Sequence, residues 1–198
     1  MDPTERRELI LTAASRAFAS RPYEEVSLAA IADEAHASEA LVHKYFVSKA
    51  GIYAQVLQRA TDELAERTRQ ADDALPPGSS ARDRVRASIL TYLDFIAERS
   101  PGWMAYQIPA GHEPGEAAQV RQAAQVRQAA REAAVAALSD VVGGGRGHRD
   151  DFAFWGYLGF LDDACLRWVR AGCPAEQRHS LVDAALGCLE GALGDWRA

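Results

Sequence analysis

A stretch of 23 residues from Ser27 to Lys49 constrains this chain more than any other. Ser27 is a candidate helix N-cap, because a serine hydroxyl accepts a backbone N–H two or three residues further on. The apolar residues after it recur at the spacing of one helix face: Leu28, Ile31, Ala32 and Ala35. The segment His36-Ala37 breaks this pattern, and Ser38 then caps a second short helix. Helices this short are not stable alone, so both must pack on other elements.

Two short helices joined by a tight turn are typical of a helix-turn-helix, whose second helix lies in the major groove of DNA. The second helix is predicted to point Val42 and Phe46 inward. Its outward residues, within reach of base edges, are then Glu39, Ala40, His43 and Lys44. Glu39 can accept from a cytosine amino group. It can equally be a solvated partner of the helix dipole, and the sequence leaves both roles open.

Neighbouring segments complete a small three-helix unit. Residues 4–20 predict a first helix that ends at Pro22, with Phe18 packed under the two short helices. Ser48 caps a further helix, which is predicted to continue to about residue 74 and has Lys49 in its first turn.

The order Val26-Ser27, Ile31-Ala32, Ala35-x-x-Ser38 and Lys44-Tyr45-Phe46-x-Ser48-Lys49 resembles the DNA-binding domain of tetracycline-repressor-like (TetR) transcription regulators. The resemblance implies an all-α protein, with a helix-turn-helix DNA-binding domain at 1–50 and a helical ligand-binding and dimerisation domain at 51–198. It implies a repressor that leaves its DNA when a small, largely apolar ligand binds. Residues implied to contact operator DNA, in addition to those facing the bases, are Ser27, Ser38, Lys44, Tyr45 and Lys49. The chain departs from the family at His36, where glycine is usual, and at His43, where tyrosine is common. Glycine at the first of these positions implies a left-handed or strained turn, which histidine tolerates better than most residues, so we expect φ > 0 at His36.

The charge of the chain does not by itself indicate a nucleic-acid binder. The formal net charge is −6, and residues 1–50 carry six Lys or Arg against eight Asp or Glu. DNA affinity would therefore depend on a few well-placed groups at helix ends. The alternative, a helical dimeric protein-interaction module that does not bind DNA, stays open.

Other function classes find little support in the sequence. It contains no GxxxxGK[ST], HExxH or GxSxG motif, so we expect neither an enzyme nor a cofactor. Three cysteines without a CxxC pair argue against a disulfide framework and against a zinc site. The first ten residues are charged and no apolar run reaches the length of a membrane span, so a cytoplasmic protein is expected.

The C-terminal part reads as four more helices, at about 80–99, 116–142, 150–171 and 174–196, separated by Pro- and Gly-rich breaks. Aromatic and polar residues within it are candidates for an apolar ligand site, although each also suits an ordinary core. The candidates are Tyr92, Trp103, Met104, Tyr106, Gln107, His112, Trp155 and Asp162. The arginines of the Ala-rich helix, Arg121, Arg127 and Arg131, are predicted to lie on a solvated face.

The last two predicted helices are rich in glycine, at residues 156, 159, 187, 191 and 194. Glycine inside a helix costs about 1 kcal/mol, which is reasonable where helices approach closely. By resemblance to the family, residues 150–196 form a homodimer interface as a four-helix bundle.

Overall fold

The computed structural model describes residues 2–99, 117–143 and 147–194, and within these ranges it contains α-helices, short 3₁₀ turns and no strand. The helices are α1 (Pro3–Ser20), α2 (Leu28–Glu34), α3 (Glu39–Tyr45), α4 (Lys49–Asp73), α5 (Ala81–Ala97), α6 (Ala117–Val142), α7 (His148–Arg170) and α8 (Arg178–Leu193). The prediction of an all-α fold is confirmed.

The chain divides into two compact units. Unit 1 comprises Met1–Asp62 and Arg99–Gln128, and unit 2 comprises Glu63–Glu98 and Ala129–Ala198. Helices α4 and α6 each contribute to both units. The functional division after residue 50 that the sequence suggested stays a prediction.

Unit 1 is held together by the core predicted from α1. Glu5 accepts the backbone N–H of Asp2 at 3.0 Å, which fixes the start of α1. Phe18 is almost fully buried and lies 5.8 Å from Tyr23 and 5.0 Å from Tyr53, measured between ring centroids. Tyr23 precedes α2 and Tyr53 lies in α4, so these three rings join α1, the turn before α2 and the start of α4. Aromatic clusters of this kind add stability beyond the area they bury.

Polar contacts fasten α1 to α4 outside this core. Arg59 donates to the Glu8 carboxylate at 3.0 Å, and Arg7 donates to the side-chain oxygen of Gln55. The Arg7 guanidinium also lies over the Phe46 ring, 5.2 Å from its centroid. Arg7 of α1 thus contacts both α4 and the residue that follows α3.

Unit 2 packs α5 and α7 against α8. Its core contains large side chains from all three helices: Leu93, Phe154, Tyr157, Trp168, Leu186 and Leu189. Ion pairs of Arg82 with Glu190, Arg86 with Asp183 and Asp94 with Arg178 run along α5 and α8. Ser80 caps α5 by accepting the N–H of Asp83 at 3.1 Å.

The predicted bounds of the last helix need correction. Pro174 is followed by a 3₁₀ turn at Ala175–Gln177, and α8 ends at Leu193 because Gly194, with φ 83°, stops it. The close helix approach expected at the glycines belongs to the predicted dimer interface and stays a prediction. A Cβ built on Gly156, Gly159, Gly187 or Gly191 would meet nothing within 4 Å among the described residues.

Candidate nucleic-acid interface

Three serines begin the helices of the Ser27–Lys49 stretch. Ser27 accepts the N–H of Ala30 at 3.0 Å, and Ser38 accepts the N–H of Leu41 at 3.2 Å. Ser48 accepts the N–H of Gly51 at 3.0 Å. Each hydroxyl satisfies one of the N–H groups that a helix start leaves unpaired. All three caps predicted from the sequence are confirmed.

The turn between α2 and α3 has the left-handed residue predicted for it. His36 adopts φ 50°, and its N–H donates to the carbonyl of Asp33 at 3.1 Å. The next N–H, that of Ala37, reaches the carbonyl of Ala32 at 2.9 Å. These bonds close the end of α2 in a tight turn and direct the chain into α3. A non-glycine residue in this conformation carries a strain of about 1–3 kcal/mol.

The two faces of α3 differ sharply in burial. Val42 is fully buried and Phe46, which follows the helix, is 2% exposed. The opposite face carries exposed residues only: Glu39, Ala40, His43 and Lys44. Tyr45 is half-buried against the core of unit 1. The predicted inward and outward faces of this helix are therefore confirmed.

The exposed face of α3 holds an acidic and a basic side chain one turn apart. Glu39 Oε1 lies 3.9 Å from His43 Nε2, and the two side chains are 56% and 51% exposed. This distance permits an ion pair but exceeds that of a hydrogen bond. The carboxylate is therefore free to accept from a group on another molecule.

Lys49, at the start of α4, is held by two contacts that local sequence spacing does not show. Its Nζ lies 4.2 Å from the centroid of the Tyr23 ring and 3.5 Å from the carbonyl oxygen of Glu24. Burial lowers the pKa of the Lys49 amine, and the nearby Glu24 carboxylate partly offsets this effect. The amine has three N–H groups, so these contacts leave it with donor capacity for a further partner.

Val47 was missed by the sequence analysis. It joins α3 to α4, between the buried Phe46 and the cap Ser48, and it is 87% exposed. No periodicity marks it, because it belongs to neither helix. Its exposure follows from Phe46, which turns into the core and leaves its neighbour facing outward.

A second group of candidate residues converges in unit 2. Asp162 accepts from the Tyr92 hydroxyl at 3.3 Å and forms an ion pair with Arg131. The Arg131 guanidinium also lies 5.9 Å from the centre of the Trp155 ring. The structure thus brings three of the predicted ligand residues together. The prediction that Arg131 is simply solvated was wrong. The other ligand candidates, Trp103, Met104, Tyr106, Gln107 and His112, lie outside the described residues.

The described ranges contain no candidate metal site and no candidate membrane-spanning helix. Across residues 2–99, 117–143 and 147–194, no three His, Cys, Asp or Glu side chains are grouped as metal ligands. Within the same ranges, no helix combines the length and hydropathy needed to cross a bilayer.

Comparison with known proteins identifies the class of protein to which this chain belongs. Residues 10–56 match the family model of bacterial regulatory proteins of the tetR family. The HTH-type transcriptional activator FasR of Mycolicibacterium smegmatis is 32% identical over 177 residues, which cover 87% of this chain and 76% of that protein. The HTH-type transcriptional regulator BetI of Brucella canis is 31% identical over 113 residues, and the match spans 55% of its length.

Solved structures show the same fold over almost the whole chain. A tetR-family transcriptional regulator from Streptomyces coelicolor matches with a TM-score of 0.78 and 24% identity, over 98% of this chain and 91% of that one. The fatty acid degradation regulator FadR from Bacillus halodurans matches with a TM-score of 0.71 and 15% identity, over 96% and 95%. At such identities these structures inform on the fold alone.

Together with the fold, these sequence matches place the chain among the helix-turn-helix transcription regulators. The match to FasR covers most of both proteins and extends well beyond the DNA-binding segment. The chain belongs to the tetR family of bacterial regulatory proteins, as the resemblance predicted.

Proposed function

We propose that α3 lies in the major groove of operator DNA, with Glu39, Ala40 and His43 toward the base edges. The observation that carries this proposal is the contrast between the buried and exposed faces of α3. A helix-turn-helix presents its second helix to the groove in this way. Residues 1–50 then form the DNA-binding domain, and residues 51–198 serve ligand binding and dimerisation.

The backbone contacts in this proposal come from residues at the helix ends. Ser27 and Ser38 lie where α2 and α3 begin, and Lys44 and Tyr45 lie where α3 ends. Lys49 contacts a phosphate with the N–H groups that Tyr23 and Glu24 do not occupy. Val47, as an exposed apolar side chain between α3 and α4, suits contact with a thymine methyl group or a sugar.

We further propose that the protein is a homodimer through residues 150–196. Phe152 is 76% exposed and Phe160 is 37% exposed, on one face of α7 with Gly156 and Gly159. On α8, Ala184, Gly187 and Gly191 are exposed at helical spacing. No residue of the described ranges covers the phenylalanine face of α7 or the small-residue face of α8, and a second copy would bury both. Two half-sites about one helical turn apart, roughly 34–36 Å, are then expected on the DNA.

Control by a small, largely apolar ligand is the third element of the proposal. Tyr92, Trp155 and Asp162, joined by Arg131, offer aromatic surface with a few polar groups, which is typical of ligand sites. A ligand that favours a state unable to fit both half-sites lowers DNA affinity by its coupling free energy. We propose a cytoplasmic repressor that such a ligand releases. FasR is named an activator, so the sign of regulation is a separate measurement.

Footprinting on the DNA that flanks the protein's own gene tests this function. A protected palindrome that weakens with rising salt is expected, because lysine and arginine contacts displace counterions. Addition of candidate apolar ligands should remove the protection, and a transcription assay on the same DNA gives the sign. If no duplex is protected and binding shows no salt dependence, the chain does not act on DNA.

A further inference from the structure

We infer that the Glu39–His43 pair reads a cytosine–guanine base pair in each operator half-site. Glu39 accepts from the cytosine amino group, and His43 donates to the paired guanine. The inference rests on the DNA-binding function proposed above and adds the base pair that α3 selects.

The position of the two side chains is fixed by their neighbours in α3. Ser38 caps the helix, so Glu39 is its first residue, and the first residues of a recognition helix are those that meet base edges. Val42 is fully buried, which fixes the rotation of the helix about its axis. Glu39 and His43 then share the outward face one turn apart, with 3.9 Å between Oε1 and Nε2.

The charge of Glu39 makes its role selective. A carboxylate that faces DNA is repelled by the phosphates unless a base donates a hydrogen bond to it. In the described part of the chain, the nearest basic group to the Glu39 carboxylate is His43, with its Nε2 3.9 Å away and beyond hydrogen-bond distance, and no arginine or lysine pairs with Glu39. The required donor must therefore come largely from the DNA. The major groove offers two such donors, the N4 amino group of cytosine and the N6 amino group of adenine.

Cytosine fits a carboxylate better than adenine does. The adenine amino group lies beside N7, an acceptor that repels the second carboxylate oxygen, whereas cytosine has no acceptor on its own major-groove edge. The acceptors of a cytosine–guanine pair are guanine O6 and N7, next to the cytosine amino group. His43 provides a ring N–H beside the Glu39 carboxylate, so the side-chain pair presents an acceptor and a donor that complement this base pair.

Selection from a library of duplexes with randomised bases tests the inference on the full-length protein. The wild-type protein should enrich duplexes with a cytosine at one position of each half-site, by roughly tenfold to a hundredfold over the other bases. Glu39→Gln should change the selected base at that position to adenine, because an amide binds adenine N6 and N7 together. Glu39→Ala should remove the discrimination there and leave the other positions unchanged.

Further variants separate base reading from effects of charge and folding. Glu176→Gln makes the same charge change at an exposed carboxylate of unit 2, and it should leave the selected bases as in the wild type. Glu39→Asp keeps the charge at the start of α3 but withdraws the carboxylate, so it should lose the cytosine preference while the thermal midpoint stays within a few degrees.

The outcomes distinguish this inference from the proposed function. If the wild type enriches no duplex, DNA binding itself is refuted and the inference falls with it. If the wild type enriches a half-site, but Glu39→Gln and Glu39→Ala select the same base at every position, the assignment of Glu39 is overturned. DNA binding would then stand without it.

Discussion

Replacement of Lys49 by methionine tests the phosphate contact proposed for the start of α4. Methionine keeps the apolar stem and removes only the charged amine, which lies 4.2 Å from the Tyr23 ring centroid and 3.5 Å from the Glu24 carbonyl oxygen. Each phosphate contact contributes about 0.9 to the slope of log affinity against log salt. A dimer loses two contacts, so the slope should become less steep by about 1.8. Raising salt from about 50 to about 200 mM then weakens the wild type roughly twelvefold more than the variant.

The same substitution should leave the fold intact. A cation over an aromatic ring contributes about 0.5–1 kcal/mol when exposed and about 2 kcal/mol when desolvated. Lys49 is partly buried, and the burial that lowers its pKa opposes this attraction, so we expect Lys49→Met to change the free energy of unfolding by less than about 1 kcal/mol, which is small beside a typical total of ~5–15 kcal/mol. Denaturation in urea measures this difference. Lys49→Arg is the matched control, because it keeps the charge and should keep the salt slope.

The pH dependence of stability independently tests whether the Lys49 amine is partly buried in the folded protein. The pKa of Lys49 is lowered from 10.5 in the folded protein, chiefly by burial. The unfolded chain therefore holds this proton more tightly, and the stability of the wild type relative to Lys49→Met should rise as the pH increases through the alkaline range toward 10.5.

The result that refutes the phosphate assignment is equally specific. If Lys49→Met weakens DNA binding by one constant factor at every salt concentration, Lys49 contributes no phosphate contact. Its amine would then serve only to join Tyr23 and the Glu24 carbonyl to α4. Fluorescence anisotropy with a labelled duplex at three or more salt concentrations gives the slope directly.

Three other predictions follow from single residues. His36→Gly should raise the free energy of unfolding by roughly 0.5–1 kcal/mol, measured by denaturation in urea. The backbone strain that glycine removes at φ 50° exceeds the conformational entropy that glycine adds to the unfolded chain. A decrease would mean that the histidine side chain stabilises the turn. Phe152→Glu should give a monomer in sedimentation velocity, whereas Val47→Glu, at a similarly exposed position of unit 1, should not; dimers in both cases would place the interface elsewhere. Cys165 is fully buried and burial raises its pKa to about 12, so alkylation at pH 8 followed by mass spectrometry should modify it only after unfolding.

The features that the sequence predicted well are those set by neighbouring residues. The caps at Ser27, Ser38 and Ser48 involve an N–H three residues away, whereas the left-handed turn at His36 is expected from the resemblance to the family. The faces of α3 follow from helical periodicity around Val42. Such interactions depend on the local chain and can be derived from spacing alone.

The contacts that the sequence did not show join residues far apart in the chain. Lys49 meets Tyr23 across 26 positions, and Arg131 meets Asp162 across 31. Long-range packing decides these two contacts, so local periodicity cannot predict them. The end of α8 was predicted too late for a different, local reason: the prediction counts Gly194 as a helix residue, whereas its φ of 83° ends the helix.

The basic residues of this chain are almost all arginines, and its lysines lie close together. Its only lysines are Lys44 and Lys49, at the end of α3 and the start of α4, and every other basic side chain that is permanently charged is an arginine. Acetylating and other amine-directed reagents modify lysine and leave guanidinium groups intact. Side-chain acylation of the native protein is therefore restricted to the surface proposed to meet DNA. Protection of these two lysines from acylation, measured by mass spectrometry, would report operator occupancy. Lysine acetylation in the cell would remove the two lysine charges of that surface and leave the arginine charges intact.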